Sequence, residues 1–216
     1  MSRRKVCCPP VYAESVITIV PATVADAGEV LTVQRAAYVS EAQLYENLKF
    51  TALTETLDEV RAATAAGGIL VARRGNRIVG AVRGELVDGE CHIGRLVVAP
   101  DQRGRGIGRA LLAAIEAEFL GRARSFVLFT GDRSATNLRL YERAGYARSR
   151  GERVGDTLSL VYLKKRRSAR PTLARADRAE LDIAQWKACS GAGNSRVRTS
   201  SANWLAAVAS TPATSA

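Results

Sequence analysis

The sequence has few of the residues that bind metal ions. Its 216 residues include one histidine and four cysteines. Cys7 and Cys8 are adjacent, while Cys91 and Cys189 stand alone, so no pair has the spacing of a zinc ligand set. We therefore expect no metal site and reduced thiols.

Long apolar runs are also absent. No stretch approaches the roughly 18–20 apolar residues that span a bilayer. The basic segment 1–10 is not followed by the apolar run of a secretory signal. We predict no membrane partner and a cytoplasmic location. Apolar residues make up 47% of the chain, which is enough for one ordinary core.

Acidic residues are outnumbered, with 21 Asp and Glu against 32 Lys and Arg, for a net charge of +11. Most of the excess lies near the two ends, because residues 16–165 carry 21 basic and 17 acidic groups. A basic nucleic-acid-binding protein that acts through its tails is therefore one hypothesis. No nucleic-acid-reading motif supports it, so we do not expect nucleic acid to be the partner.

Hydrophobic periodicity predicts alternating strands and helices between residues 16 and 165. Strands are predicted over residues 15–21, 69–73, 77–86, 90–98, 125–130, 146–150 and 157–163. Helices are predicted over 23–39, 54–66, 107–120 and 136–144, with a polar connection over 40–50 and a turn over 151–156. This order predicts an α/β domain, a mixed sheet with helices on both faces. Residues 1–15 are predicted to be a flexible arm and 166–216 a disordered or loosely helical basic tail.

A glycine- and arginine-rich loop follows the fourth predicted strand. Residues 98–110 read VAPDQRGRGIGRA, and a helix begins at about Ile107. A helix start presents unpaired N–H groups to an anion, and glycines let the backbone approach a phosphate closely. Arginines in the same loop add charge and forked donors. The glycines alternate, so the dinucleotide-binding fingerprint does not fit, and no Gly-Lys-Ser/Thr of a Walker loop follows.

The Arg-x-x-Gly-x-Gly pattern at Arg103, Gly106 and Gly108 resembles the acetyl-CoA site of the GNAT superfamily of N-acetyltransferases. A second similar segment runs from Asn137 to Tyr146. The resemblance covers residues 16–165 and implies a mostly antiparallel sheet of about seven strands, splayed between the fourth and fifth. It also implies acetyl-CoA as cosubstrate, without a metal, and direct attack by a primary amine in a ternary complex. A catalytically silent CoA-binding module remains an alternative.

The resemblance also implies a set of cofactor-binding residues. The backbone at 96–98 would bind the pantetheine arm and the acetyl carbonyl, the loop and helix start would bind the pyrophosphate, and residue 137 would contact the cofactor arm. The set is Leu96, Val97, Val98, Gln102, Arg103, Gly104, Arg105, Gly106, Ile107, Gly108, Arg109 and Asn137.

Two residues are predicted to be catalytic. Tyr141 matches the family's general acid, because a phenol with a pKa of about 10 is protonated at neutral pH. His92 lies eleven residues before Arg103, where some members of the family place a glutamate base, and an imidazole suits proton removal. Glu85 and Glu90 are alternatives, and a water chain is another. A packed core tyrosine and a surface histidine are the structural alternatives.

The segment between the first two helices is expected to wall the acceptor site. Tyr38, Glu41 and Tyr45 from this segment, with Glu85, are the predicted substrate contacts, since carboxylates attract an amine and tyrosines stack on it. A solvated loop fits the same residues. We expect a small amine or amino-acid derivative, with a peptide amine and a homodimer left open.

Overall fold

The computed structural model describes residues 16–154 and 158–167. The predicted arm at 1–15, the tail beyond Arg167 and the end of the predicted turn at 151–156 lie outside the described residues, as do Cys7, Cys8 and Cys189.

Within these residues, seven strands and five α-helices follow one another in the predicted order, except that two α-helices replace the second predicted helix. The strands are β1 (Ile17–Pro21), β2 (Ile69–Arg74), β3 (Arg77–Val87), β4 (Glu90–Val98), β5 (Ser125–Gly131), β6 (Ala147–Val154) and β7 (Leu158–Arg166). The helices are α1 (Ala27–Tyr45), α2 (Thr51–Thr54), α3 (Leu57–Ala65), α4 (Ile107–Phe119) and α5 (Ala135–Arg143).

The strands form one twisted sheet in the order β1-β2-β3-β4-β5-β7-β6. Every neighbouring pair is antiparallel except β4 and β5, which run parallel. A parallel pair needs a crossover, and α4 provides it. The predicted mixed, mostly antiparallel sheet is therefore confirmed.

The sheet opens between β4 and β5. These strands pair only over Glu90–His92 and Ser125–Val127, although β4 continues to Val98. A β-bulge in the pairing of β3 with β4 places Arg95 in the left-handed region, at φ 51°. Bulges bend a strand and increase its twist. The bend coincides with the gap, so the predicted splay between the fourth and fifth strands is confirmed.

Helix α4 covers one face of the sheet and packs closely against β3. Leu111 and Ile115 pack over β3, where Gly80 and Gly84 take the place of larger side chains. A Cβ at Gly84 would lie 2.8 Å from the Phe119 ring and 2.9 Å from Ile115 Cγ1. The absence of side chains at these two glycines thus sets the distance between α4 and β3. That distance in turn determines the position of the first turn of α4.

Helices α1 and α3 cover the opposite face. Val30 and Val33 of α1 and Val60 of α3 pack with Ile78 and Ala81 of β3. Neighbouring strand residues point to opposite faces of the sheet. Ile78 therefore packs in the core beneath α1 and α3, and Val79 packs in the core beneath α4. Helices on both faces were predicted and are confirmed.

Some predicted boundaries were wrong. Helix α1 continues through residues 40–45, which were predicted to be a connection. The predicted helix 54–66 is two helices, because Glu55 is extended and a capping box between Thr56 and Glu59 starts α3. Strand β6 continues to Val154, through residues predicted to be a turn.

Candidate active site

A cleft of about 2200 Å³ opens where β4 and β5 separate. The end of β4, the start of α4, α5 and the C-terminal half of α1 enclose it. All the predicted site residues line this cleft except Arg105 and His92. The fold therefore gathers residues that are far apart in sequence around one opening.

The N-terminus of α4 faces the cleft. Gly104 and Gly106 have φ values of 77° and 80°, a conformation that disfavours side chains, and Gly106 is the N-cap. A Cβ at either position would meet nothing within 4 Å. The positive φ angles therefore favour glycine at these two positions, whereas protein packing does not require it. The first N–H groups of a helix lack intrahelical partners, so this surface suits an anion.

Some side chains of the loop bond to the rest of the protein, and others are exposed to solvent. The Arg103 guanidinium donates to Ala37 O at 2.8 Å and Ser40 Oγ at 3.1 Å, joining the loop to α1. Gln102 is buried and braces the loop by accepting from Arg74 Nη1 at 3.0 Å. Arg105 and Arg109 are exposed. Positive charge is therefore available at the helix start.

The end of β4 forms one edge of the opening. Val97 and Val98 pair with Ala81 and Gly80 of β3 on one side, while β5 has already diverged on the other. Backbone N–H and C=O groups alternate in direction along a strand. Some of those at 96–98 therefore point into the cleft, where a linear amide-containing chain can pair with them.

Tyr141 of α5 lies against the same opening. Its side chain is buried and lines the cleft. Burial, with Tyr38 and Glu41 nearby, raises the pKa of the Tyr141 phenol. The hydroxyl is therefore protonated at neutral pH and can donate a proton within the cleft.

Asn137, one turn before Tyr141, contacts α1. Its Nδ2 donates to Glu41 Oε1 at 3.3 Å and to Thr130 Oγ1 at 3.4 Å, and Ser134 also bonds Glu41. Glu41 therefore ties α1 to α5 at the mouth of the cleft.

The remaining predicted substrate contacts differ in exposure. Tyr45 is buried, and its hydroxyl accepts from the Arg133 backbone N–H at 2.6 Å, so it supports the wall. Tyr38 is half-buried and stacks at a tilt on Phe50. Burial raises the pKa of the Tyr38 phenol.

His92 pairs with Glu85 across the β3–β4 ladder, so their side chains share a face. Burial lowers the pKa of His92, against the opposing influence of Glu90, Glu85 and Asp88. A neutral imidazole is able to accept a proton. Glu85 lines the cleft, whereas His92 is not among its lining residues.

Cys91 is fully buried and packs in the α4 core. Burial raises the pKa of its thiol to about 12, so it stays protonated and is a poor nucleophile. No group of three or more His, Cys, Asp or Glu within the described residues has the arrangement of a metal site. None of the helices described in 16–154 and 158–167 is long and apolar enough to span a membrane.

The sequence analysis missed a polar cluster in the cleft. Glu55 Oε1 accepts from Arg83 Nη1 at 3.0 Å, and Glu55 Oε2 accepts from Gln34 Nε2 at 2.7 Å and Arg95 Nε at 3.3 Å. Glu55, Arg83 and Arg95 all line the cleft. One local signal was available, since the Thr56–Glu59 capping box places Glu55 just outside a helix.

The sheet order, the parallel β4–β5 pair that splays, and the open helix start together define the fold of the GNAT acetyltransferases. Residues 65–148 match the model of the acetyltransferase (GNAT) domain, a stretch that includes the loop, α4 and Tyr141. Over this stretch the chain is similar to the GNAT acetyltransferases, and the match supports an acyltransferase.

Solved structures share this fold at low sequence identity. The Salmonella typhimurium protein yncA, solved with its cofactor acetyl-CoA, is 18% identical with a TM-score of 0.59, covering 72% of this chain and 96% of its own. A ribosomal-protein-alanine N-acetyltransferase from Brucella melitensis is 21% identical with a TM-score of 0.57, and the alignment covers 69% of this chain and 99% of its own.

A third similar structure is the paia N-acetyltransferase of Thermoplasma acidophilum in complex with coenzyme A. It is 16% identical with a TM-score of 0.54 and covers 70% of this chain and 99% of its own. No curated protein matches the sequence significantly.

Proposed function

We propose that this protein transfers an acetyl group from acetyl-CoA to a primary amine by direct attack in a ternary complex. The observation that carries the proposal is the open start of α4, where Gly104 and Gly106 leave free space before unpaired N–H groups. The bound acetyl-CoA and coenzyme A of the similar structures support the choice of ligand.

Each part of the cleft has a task in this proposal. The N–H groups at the start of α4, with Arg105 and Arg109, hold the pyrophosphate. The backbone at Leu96–Val98 pairs with the pantetheine amides and donates to the acetyl carbonyl, which stabilises charge developing on that oxygen. The splay gives the arm its path between the strands.

Two proton transfers complete the reaction. The neutral amine attacks the thioester carbon, and the C–S bond breaks as the tetrahedral intermediate collapses. Tyr141 gives its proton to the departing sulfur. The proton released by the amine goes to water or to a basic side chain, for which His92 and Glu85 are the candidates. Glu90 is less suited, because it already bonds Ser125 Oγ at 2.6 Å and Lys164 Nζ at 2.5 Å.

The acceptor is proposed to be a small amine or amino-acid derivative that enters beside Tyr38 and Glu41. A peptide amine is the alternative, and the Brucella melitensis protein bears the name of an enzyme with such an acceptor. The catalytic unit is proposed to be residues 16–165, acting in the cytoplasm.

The substitution Gly106→Asp tests the donor site. It adds a side chain and a negative charge at the N-cap that faces the cleft, so acetyl-CoA binding should fall at least about 100-fold, which corresponds to about 2.7 kcal/mol. Isothermal titration calorimetry with acetyl-CoA measures the change.

Two control variants separate charge from backbone strain. Gly106→Asn carries the same bulk and the same positive φ without the charge, and should lose clearly less affinity. Gly121→Asp places the charge at the far end of α4, where a Cβ meets nothing within 4 Å, and should bind normally. Unchanged affinity in Gly106→Asp would remove the pyrophosphate assignment.

A further inference from the structure

A cluster of charged side chains around Glu55 holds more positive than negative charge. Arg83 and Arg95 both bond this carboxylate, so two guanidinium groups share one counterion. Burial acts to raise the pKa of Glu55, but the combined effect of Arg83, Gln34 and Arg95 is larger, so the pKa is lowered. Glu55 is therefore ionised at neutral pH. The cluster therefore carries one net positive charge.

Both guanidinium groups retain donors for a ligand. The side chains of Arg83 and Arg95 are 22% and 21% exposed and line the cleft. Arg83 donates to Glu55 through Nη1, while Arg95 donates to Glu55 through Nε and to Thr51 Oγ1 through Nη2 at 3.2 Å, so each guanidinium keeps further N–H groups. A guanidinium has five N–H donors in a planar fork, which matches the two oxygens of a carboxylate.

The cluster adjoins the proposed site of transfer. Arg95 occupies the β4 bulge, directly before Leu96. It is among the charges that act on the Tyr38 phenol, and Tyr38 in turn acts on Tyr141. Arg95, Tyr38 and Tyr141 also line the same cleft, so a ligand bound by the cluster lies in the same opening as the proposed general acid.

Two further carboxylates line the cleft on this side, Glu85 and Glu41. Glu85 follows Arg83 by two positions on the same face of β3, and Glu41 lies on the Tyr38 side. A simple cationic amine would sit beside two guanidinium groups, which is unfavourable. A molecule with one carboxylate and one amine matches both signs of charge.

We infer that the acceptor is an amino acid, whose carboxylate is bound by Arg83 and Arg95 in the fork that Glu55 holds in place. This inference rests on the proposed acetyltransferase function and narrows its substrate. The single net charge of the cluster favours a carboxylate over a doubly charged phosphate.

The test compares each of the twenty standard amino acids with its own amide, using the full chain at saturating acetyl-CoA and following release of free CoA. At least one acid should exceed its amide in kcat/KM by about tenfold or more, as expected for a bond to a charged group. Arg95→Lys and Arg83→Lys keep the charge beside Glu55 but lose the fork. Each should reduce this acid-to-amide ratio by about tenfold.

The exposed Arg61, which pairs with Asp58 on α3, offers the matched control Arg61→Lys, and its ratio should not change. Calorimetry with acetyl-CoA on the same samples tests the proposed function separately. If acetyl-CoA binds and no acid exceeds its amide, or if the ratio survives both arginine substitutions, the amino-acid inference fails while the donor site stands. If acetyl-CoA does not bind, both proposals fail.

Discussion

At Tyr141, burial and the neighbouring Tyr38 and Glu41 all oppose ionisation of the phenol. A general acid acts in its protonated form, and its raised pKa extends that form to higher pH. Tyr141 should therefore remain protonated above about pH 10, where an exposed tyrosine ionises. Turnover in the wild-type protein should not fall with rising pH up to about pH 10 through loss of this proton.

The substitution Tyr141→Phe removes the hydroxyl and keeps the ring. Turnover should fall by about 10²–10⁴, the usual contribution of one general acid. Acetyl-CoA affinity should change little, because the ring still packs. Steady-state kinetics and calorimetry separate the two effects.

Tyr146→Phe is the matched control. Tyr146 contacts the Tyr141 ring at 6.2 Å between centroids, is buried, and is not among the residues that line the cleft. Its turnover should stay close to that of the wild type. If both variants behave alike, Tyr141 serves packing only, and a silent CoA-binding module becomes the better description.

Which site residues were predictable depends on their separation in the chain. Arg103, Gly106 and Tyr141 belong to short continuous motifs, and the sequence analysis found them. Glu55 is 28 positions from Arg83 and 40 from Arg95. The pairing of β3 with β4 and the break between α2 and α3 bring these three together. The strand pairing has no local signature, and the Thr56–Glu59 capping box marks the break without indicating which side chains Glu55 meets.

Among the elements, α4 shows how packing positions chemistry. Its apolar stripe predicted the helix within one residue of its observed end, but not how closely it sits on β3. That distance depends on Gly80 and Gly84, which in the sequence look only like weak strand residues. The end of α1 was missed for a similar reason, since Glu41 and Tyr45 look polar or isolated until α5 and β5 cover them.

The substitution Gly84→Ala tests this close approach. The new Cβ would lie 2.8 Å from the Phe119 ring and 2.9 Å from Ile115, so α4 must shift. The free energy of unfolding should fall by about 1–3 kcal/mol, as for other overpacked cores. Urea denaturation measures it.

Gly28→Ala is the control for the chemical change itself. Gly28 lies in α1, and an alanine methyl group there would meet nothing within 4 Å, so alanine should raise stability by up to about 1 kcal/mol. Equal effects of the two substitutions would show that Gly84 is not a contact point for α4.

Across the whole molecule, α1 spans both lips of the cleft. Arg103 joins it to the loop before α4, and Glu41 joins it to α5. The proposed cofactor loop, the proposed general acid and the proposed acceptor wall are thus parts of one connected unit. The seven strands and three apolar clusters of the described residues lie between residues 17 and 166, so the folding unit should end where β7 ends.

A chain ending at Arg167 should therefore fold and bind acetyl-CoA like the full protein. Arg167 makes the last described contacts, through its N–H to Arg124 O and its Nη1 to Leu120 O, each at 3.1 Å. The melting temperature of the shortened chain should differ from that of the full protein by less than about 4 °C, the shift that roughly 1 kcal/mol produces in a domain of this size. Circular dichroism and calorimetry provide the two measurements.

A chain ending at Leu160 is the opposite control. It loses Tyr162 and Leu163, which are 6% and 0% exposed, together with most of the pairing between β7 and β5. Removing one such core side chain costs about 2–5 kcal/mol, and typical domains have only about 5–15 kcal/mol in total. This chain should not fold. If the chain ending at Arg167 also fails to fold, the unit extends past β7, and the loss of the tail rather than of the cleft would explain any missing activity.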